Sequence, residues 1–161
     1  MGGVGAMKVV GIVPSPSSVS IVLIDNGSGK PEAKYKDEWD VGEDRLAGYG
    51  MIRSRLIEKL SQWMPDAVVI TAFEPFSLRA GRANSSWFQT AEVRGMLSEA
   101  ARSVVPDTEQ VQKAAITRTI GKSKAEKYRT DDGFWNAQFG PGFPKKYRDA
   151  ALLVFTRIPR T

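Results

Sequence analysis

The stretch from Lys8 to Asp25, KVVGIVPSPSSVSIVLID, constrains the fold of this chain more than any other. It contains two apolar runs rich in β-branched residues, separated by Pro14-Ser15-Pro16-Ser17. Two such runs joined by turn-forming residues predict a β-hairpin. Both runs are nearly continuous rather than alternating, which is typical of strands buried on both faces. The hairpin is therefore predicted to be central, covered by the rest of the fold.

The later residues predict alternating strands and helices. Tyr35, Trp39 and Val41 share one parity within Ala33–Val41, which predicts a half-exposed third strand. There follow an amphipathic helix that stops at Pro65, a buried strand at Ala67–Thr71, a helix from about 84 to 102, and a short strand after Pro106 within Val104–Gln112. The remainder is predicted to be helical in pieces, at Lys113–Ile120, at Lys122–Gln138 as a broken helix, and at Lys145–Ile158. This order predicts an α/β fold with a mixed five-stranded sheet and helices on both faces. Residues 8–161 are expected to form one domain after a disordered or tag-like N-terminus at 1–7.

Composition removes several kinds of chemistry. The chain has no cysteine and no histidine, which excludes disulfides, thiolate metal sites, imidazole bases and Ser-His-Asp catalysis. Its apolar runs are too short to span a bilayer and its N-terminus has no basic leader region, so a cytoplasmic protein without a membrane partner is expected.

The distribution of charge points to a polyanionic partner. The formal net charge is +5, and residues 113–161 are strongly basic while the rest of the chain is slightly acidic. A basic third on a near-neutral body suggests nucleic acid. The alternative is that these residues form only a solvated basic face.

The order of several motifs resembles one family. GIVPSPSSVSIVLID comes first, VVITAFEPF follows at the fourth strand, QTAEVRGMLSEAARS on the next helix, GKSKAEK after it and RDAALLV on the last helix. Together they resemble the RuvC-type Holliday-junction resolvases of the ribonuclease-H-like superfamily, over residues 8–158. The resemblance implies a ribonuclease-H-like fold, branched DNA as partner, and a homodimer built on the helix at about 84–102, with Trp87 and Met96 supplying apolar area.

The same resemblance implies a degenerate active site. The family binds two divalent cations with four carboxylates, and these positions fall on Val13, Thr71, Lys146 and Asp149. Only Asp149 keeps a carboxylate, as a remnant. An ammonium about 4 Å from a divalent ion costs about 8 kcal/mol at an effective dielectric of about 20. We therefore expect no metal or other cofactor, and an ion pair between Lys146 and Asp149. The placement of Asp149 near a helix N-terminus also has a sufficient explanation in the helix dipole.

A relocated active site is the alternative. Glu74 lies three residues past Thr71, and Glu92, Asp131 and Asp132 are further carboxylates that would have to converge on Mg²⁺ or Mn²⁺. Carboxylates on loops and helix surfaces are more often only solvated.

The candidate DNA-binding residues are cations near the predicted site: Arg79, Arg82, Lys122, Lys124, Lys127 and Arg129. Such side chains neutralise phosphates without reading bases. Ser15, Ser17 and Ser18 are candidate phosphate donors, although serines there are first of all turn formers. Trp87 and Phe88 are candidates for stacking on unpaired bases, or for core or dimer contacts.

Three functional classes follow. The favoured one is a degenerate resolvase relative, a pseudonuclease of DNA recombination that binds branched or structured DNA without cleaving it. The second is an active metal-dependent endonuclease with displaced ligands. The third is a protein-interaction scaffold that has lost nucleic acid.

Overall fold

The hairpin at the start of the chain forms the centre of a mixed sheet. The computed structural model describes residues 5–72, 85–112, 116, 128 and 130–159. Its strands are β1 (Lys8–Pro14), β2 (Ser18–Asp25), β3 (Glu32–Asp40), β4 (Ala67–Thr71) and β5 (Thr108–Val111), in the order β3-β2-β1-β4-β5. β1 is antiparallel to β2 and parallel to β4, and β5 is parallel to β4. The central hairpin and the mixed five-stranded sheet are confirmed.

Helices cover both faces of this sheet, as the order of elements predicts. They are α1 (Arg45–Trp63), α2 (Ser85–Val104), α3 (Asp132–Phe139) and α4 (Arg148–Val154), the last preceded by a 3-10 turn at Lys145–Tyr147. α1 and α2 pack on one face, and α3 and α4 pack on the other. Asp44 begins α1 by accepting a hydrogen bond from the Ala47 N–H at 3.2 Å. The predicted helix at Lys113–Ile120 lies outside the described residues except for Ile116.

β1 is buried on both faces because its side chains alternate between the two helical layers. Val10 and Ile12 contact the cluster of α1 and α2, while Val9 contacts the cluster of α3 and α4. All three side chains are completely buried. This is the reason that the run is apolar throughout rather than in every second position.

α4 lies unusually close to β1 at Gly11. A Cβ atom on Gly11 would stand 2.1 Å from the carbonyl oxygen of Ala150 and 3.0 Å from a Val154 methyl carbon. Glycine is therefore required here by the approach of a helix backbone. This contact sets the height of α4 above the sheet.

The end of the chain differs from the sequence prediction. A helix over Lys145–Ile158 is expected, but α4 ends at Val154. The N–H of Arg157 donates to the Val154 carbonyl at 2.8 Å, a tighter turn than an α-helix makes. Arg157 thereby reaches β5, where it pairs with Asp107 at 2.8 Å and with Glu109 at 2.8 Å. Because these partners are distant in sequence, helical periodicity does not reveal them.

Two further boundaries differ. α2 continues to Val104 rather than ending near Arg102, and the short strand expected after Pro106 is confirmed at Thr108–Val111. The broken helix expected over Lys122–Gln138 lies outside the described residues at 122–127 and at 129, and its last part is observed as α3, with Asp131 as the cap. Among the described residues no helix is long and apolar enough to cross a membrane.

Replacing Arg157 with methionine should lower stability near neutral pH by roughly 1 kcal/mol or less, since the ion pairs are partly exposed. The hydrogen bond from Arg157 holds the pKa of Asp107 below its ordinary value of 3.8. A carboxyl group with a lowered pKa contributes stability above its unfolded pKa and loses it as the pH falls through the folded pKa. Urea unfolding of both proteins at pH 7 and below pH 4 should show the difference shrinking in acid. An unchanged difference would contradict this assignment.

Candidate functional site

The carboxyl ends of β1 and β4 meet at one corner of the sheet. Ile12 pairs with Ile70, so Val13 and Thr71 follow next to each other on neighbouring strands. The Thr71 hydroxyl donates to the Ile12 carbonyl at 3.4 Å. By strand alternation both side chains belong to the face that α4 covers, and Val13 packs against that cluster. The structure therefore brings together two of the positions that sequence analysis selected.

The start of α4 supplies the other two positions. The backbone of Ala150 lies over Gly11 of β1. Asp149 directly precedes Ala150, Lys146 lies in the 3-10 turn before α4, and both side chains are exposed. The Lys146 ammonium lies over the ring of Tyr147, 5.2 Å from its centroid. The ion pairs of the described residues do not join Lys146 to Asp149, so the expected pairing is wrong. The aromatic face of Tyr147 attracts the ammonium instead.

Two arginines that sequence analysis missed lie at these same elements. Arg94 of α2 donates through Nε to the carbonyl oxygen of Thr71 at 2.8 Å, at the end of β4. Arg148, only 5% exposed, donates through Nη2 to Asp132 at 2.7 Å and lies 5.8 Å from the centroid of the Trp135 ring. The signal available in the sequence was that each arginine directly follows a large apolar residue that is buried, Val93 before Arg94 and Tyr147 before Arg148. Arg94 adds positive charge at the end of β4, whereas the charge of Arg148 is balanced by the Asp132 carboxylate.

The carboxylates considered for a relocated site have other partners. Glu92 accepts from the Tyr49 hydroxyl at 3.3 Å, on the side of α2 that meets α1. Asp131 caps α3 by accepting from the Phe134 N–H at 3.1 Å. Asp132 accepts from Arg148, which holds the pKa of the Asp132 carboxyl below its ordinary value. Glu74 lies outside the described residues.

The residues at the corner do not fit a two-metal centre. Divalent cations such as Mg²⁺ require several converging oxygen ligands, mainly carboxylates. The four positions offer two methyl groups (Val13), a neutral hydroxyl (Thr71), an ammonium (Lys146) and one carboxylate (Asp149). Within the ranges that the structure describes, no group of three or more acidic, histidine or cysteine residues could hold a metal ion. No chemical step through a metal is therefore assigned to this corner.

Of the candidate DNA-binding residues, the structure describes the serines of the β1–β2 turn but not the six cations. Arg79, Arg82, Lys122, Lys124, Lys127 and Arg129 lie outside the described residues. In the β1–β2 turn the Ser15 hydroxyl lies 2.9 Å from the Ser18 hydroxyl and also bonds the Ser18 backbone, so these two serines build the turn. Ser17 is exposed beside them.

The aromatic pair at the start of α2 is partly accessible. The Phe88 side chain is 54% exposed, and its ring packs edge-on against the ring of Trp87 with centroids 4.8 Å apart. Met96 is half-buried against the cluster of α1 and α2. The accessible ring of Phe88 is thus open to a base or to another protein surface.

Comparison with known proteins identifies the fold. No protein-family model and no curated protein matches the chain. The structure of Thermus thermophilus RuvC in complex with Holliday junction substrate is similar, with a TM-score of 0.73 and 16% identity over 93% of this chain and 91% of that chain. A second structure of Thermus thermophilus RuvC has a TM-score of 0.70 and 16% identity over 93% and 92% of the two chains. The architecture built above is therefore the RuvC-like, ribonuclease-H-like fold.

Proposed function

We propose that this chain binds branched DNA, such as a four-way junction, and does not hydrolyse it. The observation that carries the proposal is the corner of the sheet described above. Val13 and Thr71 stand side by side at the carboxyl ends of β1 and β4, where the family resemblance expects two acidic metal ligands. In this proposal the fold of the resolvases is combined with a corner that lacks the acidic pair.

The charges at the corner disfavour hydrolysis. Of the four positions only Asp149 offers an anionic oxygen, and Lys146 lies one helical turn before it. Arg94 places a further cation at the end of β4, where its guanidinium donates to the Thr71 carbonyl. A divalent cation would face repulsion that one carboxylate cannot offset.

The proposal of DNA as the ligand has two supports. The chain is basic over residues 113–161, and clustered lysines and arginines neutralise phosphates. One of the structures that share its fold contains a Holliday junction substrate. We assign phosphate contacts to Arg79, Arg82, Lys122, Lys124, Lys127 and Arg129. We also propose a two-fold dimer through α2, in which Phe88, exposed beside Trp87, contributes apolar area.

The test uses a fluorescent four-way junction and a linear duplex of the same sequence. Binding to the junction should be tighter, should be the same in EDTA and in Mg²⁺ at matched ionic strength, and should yield no cleaved product with Mg²⁺ or Mn²⁺. Affinity should fall with salt by roughly 0.9 log units per log unit for each phosphate contacted. Replacing Lys122, Lys124 and Lys127 with alanine should weaken binding and make that slope shallower.

A charge-matched control separates a specific surface from general attraction. Replacing Lys8, Lys30 and Lys59 with alanine removes the same charge from the amino end of β1, the β2–β3 connection and α1, and should change junction binding much less. Metal-dependent cleavage that is abolished by Glu74→Gln or Asp149→Asn would establish the relocated endonuclease instead. If the protein binds no DNA even at low salt, the proposal is wrong and the third class, a protein-interaction scaffold, takes its place.

A further inference from the structure

β3 is an edge strand whose charges are arranged symmetrically. In the described part of the sheet it has β2 on one side and no strand on the other. From residue 34 onward its even-numbered residues are exposed and read Lys34, Lys36, Glu38 and Asp40, two cations followed by two anions. Lys34 also forms an ion pair with the half-buried Glu32 of the same strand. A strand with this pattern is complementary to itself when it runs antiparallel. Edge strands are often protected from pairing by charged side chains and bulges, but here the irregularity is confined to Lys34, and the exposed charges beyond it are complementary to themselves.

The backbone of the same residues faces the open edge. The Val41 N–H donates to the Ser17 carbonyl at 2.8 Å, and the register continues without a shift from Asp40 to Tyr35. In an antiparallel pair alternate residues bond to the neighbouring strand, so odd-numbered residues bond to β2. Lys36 and Glu38 consequently direct their N–H and C=O groups outward. Lys34 lies at the register shift and therefore flanks the regular part.

We propose that β3 pairs with β3 of a second copy of this chain, antiparallel and two-fold symmetric about Asp37. In this register Lys36 stands opposite Glu38 of the second copy, and this opposite-charge pair occurs twice. Lys34 and Asp40 continue the pattern at the ends. On the other face Tyr35 stands opposite Trp39. A register shifted by two residues in either direction would place Lys36 opposite Lys36 or Glu38 opposite Glu38. Like charges directly opposite each other are destabilising, so the charges of Lys36 and Glu38 favour the register with its axis at Asp37.

Asp37 itself is held back toward its own strand. Its Oδ2 atom accepts hydrogen bonds from the Tyr35 hydroxyl at 3.1 Å and from Trp39 Nε1 at 3.2 Å. Its Oδ1 atom accepts from the Glu38 N–H at 2.8 Å, a donor that strand pairing takes over. The two bonds to Oδ2 use side-chain donors, so they remain on pairing and disperse the charge of the residue that meets its own copy at the axis.

The paired edge is a different surface from the DNA site. β3 is two strands away from β1, whose carboxyl end forms the candidate corner, and α2 lies on β1 and β4 rather than at this edge. Pairing would join two sheets into one continuous sheet and leave the corner and α2 accessible. The inference stands whether or not the chain binds DNA.

Disulfide trapping tests the axis directly. The chain has no cysteine, so Asp37→Cys introduces a single thiol. Residues opposite each other in a non-hydrogen-bonded pair have Cα atoms about 4.5 Å apart, which a disulfide can span. Mild oxidation should convert this variant into a cross-linked dimer much faster than Ser61→Cys, whose thiol is exposed on α1. Equal rates for the two variants would overturn the proposal.

Charge exchange tests the register without a thiol. Lys36→Glu and Glu38→Lys each turn both central pairs into like-charge pairs and should weaken association roughly tenfold or more. The double variant Lys36→Glu/Glu38→Lys restores opposite charges and should recover the association. Sedimentation measures this, with circular dichroism to verify folding. Failure of the double variant to recover, or equal association of all four proteins, would overturn the register.

Discussion

Gly11→Ala should destabilise the protein by about 3 kcal/mol or more. The added Cβ would stand 2.1 Å from the Ala150 carbonyl oxygen, and neither backbone can give way without moving a whole element. Insertion of atoms into a packed core costs about 1–3 kcal/mol, and more when backbone has to move. Urea unfolding at pH 7 measures the loss. Because α4 carries Asp149, the same variant should also weaken any binding at the corner.

Gly95→Ala is the matched control. Gly95 lies in α2, and a Cβ there would meet nothing within 4 Å. Alanine is favoured over glycine inside a helix by about 0.8–1.0 kcal/mol, so this variant should be more stable than the parent. A Gly11→Ala protein as stable as Gly95→Ala would show that α4 does not rest on β1 as described.

Trp135→Ala should cost about 3–5 kcal/mol. The Trp135 side chain is completely buried, and its ring stacks with those of Phe143 and Phe139 at centroid distances of 5.3 Å and 6.0 Å. Its indole N–H donates to the Tyr128 carbonyl. Truncation leaves a cavity, exposes an unpaired carbonyl and removes the aromatic surface beside Arg148. Thermal and urea unfolding, followed by circular dichroism, measure the loss.

The comparison for this variant is Phe88→Ala. The Phe88 side chain is 54% exposed, so its removal should change the stability of the monomer by less than about 1 kcal/mol. Similar losses for the two variants would mean that the cluster around Trp135 does not stabilise the fold. A loss for Phe88→Ala that depends on protein concentration would instead report on the proposed dimer through α2.

Local pattern was sufficient for the elements up to β4. The buried hairpin is visible in its apolar runs, and the strand Ala67–Thr71 has the predicted bounds. In β3 the buried Trp39 and the exposed even-numbered residues agree with the predicted parity. In each case the strand packs against the helical layers. A half-buried strand then shows alternation of apolar and polar residues, and a strand buried on both faces shows an apolar run bounded by turn residues.

Features that depend on distant partners were not predictable in this way. The last helix stops at Val154, and Arg157 beyond it pairs with Asp107 and Glu109 at the start of β5. The glycine at position 11 is needed only because the Ala150 backbone lies against it. At the site, the resemblance selected Val13 and Thr71, which the register places together. Arg94 and Arg148 look like ordinary charged residues of a helix surface. Their roles follow from a carbonyl and a carboxylate elsewhere in the chain.

The parallel pairing of β1 with β4 has a consequence for the order in which the molecule forms. β1, β2 and β3 are joined by short turns, whereas the Asp66 N–H bonds to the Lys8 carbonyl across a separation of 58 residues. Closing so long a loop costs conformational entropy before its contacts can repay it, which slows the pairing of distant strands. The three-stranded meander can therefore assemble while β4 is still being synthesised. The corner between Val13 and Thr71 forms only when β4 pairs with β1.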